Sequence, residues 1–289
     1  MKTIKLFSKI TFGMGMIALL LSCEKIEGPY ITPDESIPTT VTFPNIDTAS
    51  VYRKILIEDF TAHKCTNCPD GHAILHDMIN VYHDTLVAVA LHIGSLAAPS
   101  ASFPTDFRTP EGNTIETDFG PFNPPCAMVN RVQYNGEYSL DKELWQTTVQ
   151  SVDRSKKIAA IQIINEFDAA NQRLATHTKT TIIDNYPNPV QLSLYITEDG
   201  IIAPQKVGMT TDTLYVHNHV LRGSMNGTYG VRISENGHVN KGEAYTKSYQ
   251  MNFGGKNWNF ANCKVIAILH DTETKEVIQV ESCPFLNEN

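Results

Sequence analysis

The stretch Asp59-Phe60-Thr61-Ala62-His63-Lys64-Cys65-Thr66-Asn67-Cys68-Pro69 constrains this chain most, because it sets two cysteines three apart where one periodicity gives way to another. Before it, Ile55-Leu56-Ile57-Glu58-Asp59-Phe60 reads as a short, branched, apolar strand covered on both faces. After it, Gly71, Ile74, Leu75, Met78, Ile79 and Tyr82 recur at helical spacing. The dithiol is therefore expected at a strand-to-helix junction, where unpaired N–H groups and the helix dipole stabilise a thiolate. Cys65, at the start of the helix, is expected to be the nucleophile and Cys68 the resolving partner. Covalent haem attachment needs a histidine directly after the second cysteine, and Pro69 stands there. Cys65, Cys68, His72 and His76 have spacings compatible with zinc. However, His72, His76, Asn80 and His83 recur as a polar helix face, so no metal and no other cofactor is assigned. A purely structural disulfide is the competing reading.

Which reading applies depends on the compartment, since a dithiol faces opposite equilibria inside and outside the reducing cytosol. Lys2, Lys5 and Lys9 precede an apolar run from Met14 to Leu21, too short to span a bilayer but suited to the core of a signal peptide. The run ends in Leu20-Leu21-Ser22-Cys23, which resembles a bacterial lipobox. That resemblance implies cleavage after residue 22, acylation of Cys23 and a stable membrane anchor through several acyl chains. Losing residues 1–22 removes three lysines and no acid, moving the formal charge from −8 to −11. Such a balance argues against a nucleic-acid partner, which needs a basic footprint.

Residues 23–50 carry four prolines without sustained periodicity and are expected to form an extended tether. Two alternations of strand and helix pattern follow, over residues 51–156. Beyond them the helical period disappears. Strand-like runs at 158–167, 173–183, 190–198, 213–222, 244–253, 263–270 and 275–282 suggest an all-β, immunoglobulin-like sandwich over residues 157–289.

The phrase from Ile55 to Phe60, four residues, and then Cys65-Thr66-Asn67-Cys68-Pro69 resembles the active-site strand and helix of the thioredoxin superfamily. The resemblance implies an α/β thioredoxin-like domain over residues 51–156. It also implies a buried acid six residues before the first cysteine, a place filled by Asp59. Strand alternation puts Asp59 on the face of Ile55 and Ile57. A cis-proline facing the dithiol is also implied, and Pro125 fits because a strand begins at Cys126 and Asn135-Gly136 then supplies a hairpin turn. A helix is expected from Asp141 to about Ser155. Two departures stand out: Lys64 replaces the usual tryptophan, and residues 95–120 form an insertion that could cover the dithiol or build a specificity pocket. Together with the lipobox, the runs Pro125-Cys126-Ala127-Met128-Val129-Asn130-Arg131, Leu194 to Gly200 and His217 to Arg222 resemble the outer-membrane-protein-28-related lipoproteins. That family implies an outer-membrane location, facing the periplasm or the cell surface, and says little about activity.

Three cysteines remain. Cys126, beside the expected cis-proline, reads as a small core residue, with a resolving thiol as the alternative. Cys263 and Cys283 flank two runs separated by Thr272-Glu273-Thr274, and a hairpin centred on Glu273 sets them opposite each other as a structural disulfide. Two buried thiols are the alternative. His217 and His219 alternate onto one strand face, with no acid or cysteine at fitting spacing.

Two functions follow. In the first, a lipid-anchored thiol-disulfide oxidoreductase acts on thiols or disulfides of extracytoplasmic proteins: Cys65 attacks, Cys68 resolves, Asp59 moves a proton and Pro125 shapes the peptide groove. In the second, a non-enzymatic surface lipoprotein binds a ligand or adheres, and its disulfide is inert.

Overall fold

The computed structural model describes residues 40–286. Cys23, the signal segment and residues 23–39 of the expected tether lie outside them. Residues 40–50 run without regular structure beside a strand of the second half, where Pro44 O accepts from Gln162 Nε2 at 2.8 Å and Ala49 O from Lys157 Nζ at 2.9 Å.

In chain order the first half is β1 (Ile55–Thr61), α1 (Cys68–Tyr82), β2 (Leu86–His92), α2 (Gly94–Ala97), α3 (Pro110–Phe119), β3 (Cys126–Val129), β4 (Leu140–Asp141) and α4 (Trp145–Ser151). The second half is strands apart from a single 3-10 turn at Phe260–Asn262: β5 (Ala159–Asp168), β6 (Arg173–Ile182), β7 (Val190–Glu198), β8 (Ile201–Ile202), β9 (Gln205–Val207) and β10 (Thr210–Asp212). It continues with β11 (Val216–His217), β12 (Val220–Ser224), β13 (Val231–Arg232), β14 (Ala244–Asn252), β15 (Cys263–Asp271) and β16 (Val277–Pro284).

One sheet runs through both halves in the order β16-β15-β7-β12-β2-β1-β3-β4, with β13 paired to β7. β1 and β2 are parallel and buried along their whole lengths, as unbroken apolar strands require. The seam between the halves is narrow: β12 joins β2 through the single register pair Val220↔Ala90. The strands expected to form one sandwich thus divide. β7, β12, β15 and β16 extend the sheet begun by β1 and β2, while β5, β6 and β14 form a second, three-stranded layer. The core between those layers includes Ile161, Leu174, Leu194, Phe253, Val265 and Phe285.

Helix α1 covers one face of the first half, packing Leu75 and Met78 with Ile55, Ile57, Trp145 and Val149. The expected insertion supplies α2 and α3. Pro110 opens α3, and Thr109 Oγ1 caps it by accepting from Gly112 N at 3.0 Å. Ile115 and Phe119 of α3 cover the opposite face with Leu56, Phe60 and Leu91. Within that face Glu58 and Arg131 form a fully buried bidentate pair, at 2.7 and 2.9 Å.

The hairpin of β15 and β16 departs from the expected register. Its loop takes in Lys275, whose φ is +64°, and the register slips again between Leu269 and His270. These two extra residues set Cys283 opposite Val265 rather than Cys263. Both cysteines are free thiols, so the expected cross-strand disulfide does not form. The physical reason is loop length, because a residue added to a turn moves every facing pair.

Candidate functional site

The Ala62–Asn67 turn hands β1 over to α1. Cys65 N donates to Ala62 O at 3.0 Å, and the helix proper begins at Cys68, with Pro69 and Asp70 in its first turn. Pro fits there because its missing N–H would be unpaired anyway, and the acid complements the helix dipole. Cys65 therefore stands in the turn ahead of the helix rather than on its first residue. Cys65 and Cys68 form a disulfide with Cα atoms 5.5 Å apart.

The bond is closed in. Cys65 is 4% exposed and Cys68 0%, packed with Ala62 and Ala97. Lys64 N donates to Leu96 O at 3.2 Å, so α2 lies against the turn. From the second half, the hairpin of β9 and β10 crosses the same turn. Gln205 Nε2 donates to the carbonyls of Cys65 at 2.9 Å and Ala62 at 3.3 Å. Lys206 N donates to His63 O at 2.8 Å and Gly208 N to Thr66 O at 3.0 Å.

Pro125 follows a cis Pro124–Pro125 peptide, and β3 begins at the next residue. It packs against the second turn of α1: a Cβ placed on Gly71 would lie 3.3 Å from Pro125 Cβ and 3.0 Å from Trp145. Any side chain there would press on both rings, and glycine avoids the contact. Cys126 is 1% exposed, and burial pushes its thiol above the usual range, consistent with a core residue.

Asp59 pairs with Ala90 and Ala127 across its neighbours and is 1% exposed. Neither carboxyl oxygen has a hydrogen-bond partner among the described residues. Burial pushes its carboxyl up to about 7. The acid lines a cavity of about 330 Å³ together with Pro69, His72, His92, Tyr215 and His217.

His72 does not join a solvated face with His76 and His83, as its spacing predicts. Its Nε2 shares a hydrogen bond with Thr61 Oγ1 at 2.8 Å, and its Nδ1 one with Tyr215 OH at 2.7 Å. Burial, then the neighbouring His217 and His219, hold its imidazole down at about 4. His92 is buried with both ring nitrogens unpartnered, 5.7 Å from His217 between ring centroids. His217 Nε2 donates to Ala203 O at 3.3 Å, and burial holds it at about 4. The chain turns at His219, whose φ is +58° and whose Nδ1 lies 3.2 Å from Asp199, so His217 and His219 do not share a strand face.

Cys65, Cys68, His72 and His76 do not gather as a zinc set, since both sulfurs are spent in the disulfide. Among the described residues no three His, Cys, Asp or Glu side chains are placed to hold a metal ion. The histidine cluster was not visible in the sequence because its members come from separate segments. One signal existed, in that His92 closes the apolar strand beside β1, in register with Thr61. Nothing local marks Gln205 or Tyr215.

The geometry defines a mostly β protein with a few helices, a buried disulfide at the start of α1 and a buried acid in the strand that precedes it. The chain belongs to the Omp28 family of outer membrane proteins, which it matches over residues 113–287. In fold it is similar to HBP35 of Porphyromonas gingivalis, with a TM-score of 0.62 at 16% identity, covering 81% of this chain and 76% of that one. A domain of the outer membrane lipoprotein Omp28 from the same organism aligns with 46% of this chain and 92% of its own, at 21% identity and a TM-score of 0.32. Curated proteins give no sequence match. Among the described residues no helix is long and apolar enough to cross a membrane.

Proposed function

We propose that this is a lipid-anchored outer-membrane protein whose residues 51–156 form a thioredoxin-like domain exchanging the Cys65–Cys68 disulfide with thiols of extracytoplasmic proteins. Cys23 carries the acyl anchor, residues 23–50 hold the body off the bilayer, and the β-rich second half presents or recognises the partner. The observation that carries this reading is Asp59. A buried carboxyl with no partner is costly to keep, and a passive staple has no use for one beside a solvent cavity. Exchange chemistry has a use, because the resolving thiol must lose its proton to attack. Cys65 then serves as nucleophile, Cys68 as resolving thiol, Asp59 as proton acceptor and Pro125 as one wall of the groove.

A second reading draws on the burial of the disulfide under Gln205 and Ala97. In it the bond is a staple, and the protein is a surface module for adhesion or ligand binding. The reduction potential of the pair separates the two. Thiol trapping against glutathione buffers, on the chain from residue 24, is expected to give a value between about −120 and −270 mV, the range of working oxidoreductases. A value below about −300 mV marks a structural bond and transfers the case to the second reading.

A further inference from the structure

Asp59 meets solvent only by way of the cavity that it lines. It is 1% exposed, and every strand beside it is buried. Yet an acid that takes a proton from a thiol in each turnover must release it before the next. The titratable groups that line the cavity with it are His72, His76 and Asp77 from α1, His92 from β2, Tyr215 and His217 from the segment that leads through β11, and His219 just beyond it. His92 and His217 are each 2% exposed. His72 combines nearness to the acid with access to solvent: its Nε2 lies 3.6 Å from Asp59 Oδ2, and its side chain is 21% exposed.

The ring is also held. Thr61 on Nε2 and Tyr215 on Nδ1 fix its plane, with Nε2 held near the carboxyl but beyond direct hydrogen-bond distance from it. We propose that His72 is a positioning residue that relays the proton between Asp59 and the cavity during exchange at Cys65–Cys68. This inference rests on the exchange reading and adds the path that the proton takes. Burial keeps the His72 imidazole neutral and so able to accept a proton, and because it titrates about three pH units below the carboxyl the transfer is uphill and is drawn on by release into the cavity. No lysine or arginine lines the cavity to oppose a passing proton.

The Cys65 thiolate attacks one sulfur of a substrate disulfide; that bond breaks, and the first substrate thiolate leaves and takes a proton from water. Cys68 gives its proton to ionised Asp59, and its sulfur attacks Cys65 Sγ. The mixed disulfide breaks, the Cys65–Cys68 bond forms, and the second substrate thiolate leaves and is protonated. Two electrons pass from the protein dithiol to the substrate disulfide. Asp59 then hands its proton to His72 Nε2, which releases it to water in the cavity. In the opposite direction, when substrate thiols are oxidised by the Cys65–Cys68 disulfide, the proton travels inward along the same path.

The test uses the reduced chain from residue 24, which contains the whole described fold, with glutathione disulfide as oxidant. Stopped-flow single turnovers are followed from pH 5 to 9 for the unaltered protein, His72→Gln, His72→Ala, Tyr215→Phe and Asp59→Asn. His72→Gln is expected to slow resolution of the mixed disulfide about 10²-fold, the usual scale of a positioned acid-base group, with the reduction potential unchanged. Tyr215→Phe should slow it less. Free imidazole, small enough for the cavity, should restore His72→Ala in proportion to its concentration. If His72→Gln stays within twofold at every pH, or imidazole restores nothing while Asp59→Asn is slow, the relay is overturned and exchange through Asp59 stands. If the unaltered pair does not react with glutathione disulfide at all, the exchange reading falls and takes the relay with it.

Discussion

Replacing Asp59 by Asn should stabilise the protein at alkaline pH while slowing its chemistry. The carboxyl ordinarily titrates at 3.8, and burial in the folded chain carries it to about 7, a gap of about three pH units. At about 1.36 kcal/mol per unit, the buried charge opposes folding by about 4 kcal/mol once the pH exceeds both values. The sign follows from proton counting. Between pH 4 and 7 the folded state holds a proton that the unfolded state has released, so this group's contribution to stability falls as pH rises and is fully lost above about 7. His72, His217 and His270, each held down to about 4 by burial, act in the opposite sense, weakening the fold as pH drops below about 6.5. The unaltered protein alone would therefore show a blurred profile, and the difference between the two proteins isolates Asp59. Urea unfolding at pH 4.5 and pH 8 is the assay. Asn remains a buried polar group but cannot ionise, so at pH 4.5, less than one unit above the carboxyl's ordinary value, the curves should differ by only about 1 kcal/mol. At pH 8 the variant's midpoint should lie higher by about 1–2 M, taking a slope of about 2–3 kcal/mol per M. A variant no more stable than the unaltered protein at pH 8, with the same slope, would refute the claim that Asp59 is an unpaired buried acid.

Two further outcomes are expected. Arg131→Met strands the Glu58 carboxylate without its partner in the core and should destabilise the protein by about 3–5 kcal/mol; Glu58→Met with Arg131→Met should recover most of that loss in the same assay, and failure to recover would mean that the pair holds the fold in some other way. Alkylation of the denatured chain from residue 24 should label Cys126, Cys263 and Cys283 without reductant, with Cys65 and Cys68 joining only after reduction; a mass showing only one labelled cysteine before reduction would restore the Cys263–Cys283 bond.

Much of the fold is legible because local chemistry sets it. The run at 190–198 is strand β7 to the residue, and the runs near 158, 173, 244 and 263 lie within a residue or so of β5, β6, β14 and β15. Asn135 and Gly136 both take positive φ between the bridged residues Tyr134 and Glu137, as their sequence predicts. The expected helix after Asp141 is shorter, with α4 ending at Ser151. What was not legible depends on separation along the chain. The pairing of Val220 with Ala90, which merges the sheets, has no local mark, since each strand alone is equally content with another neighbour. Gln205 is unremarkable in its own hairpin, yet is fully buried where it meets the cysteine turn. The displaced Cys263 shows the reverse limit, where a local argument failed over two residues of turn and bulge.

The position of β1 also determines how the molecule bears load. An anchor at Cys23 would pull through residues 40–54 into the middle of the sheet, between β2 and β3, rather than into an edge strand. Tension along the axis of β1 meets its pairings with β2 from Ile55 to Thr61 and with β3 from Ile57 to Phe60 together, in shear. Arg53 and Lys54, just ahead of the strand, are clamped to Glu276 and Glu281 at 3.1 and 2.6 Å, so part of the force passes sideways into the hairpin of β15 and β16 before it reaches the cysteines. The same body held by β16, at the sheet's edge, would peel one hydrogen bond at a time. Held by its N-terminal end, it should withstand the drag of flow or of a neighbouring cell with the disulfide turn undisturbed.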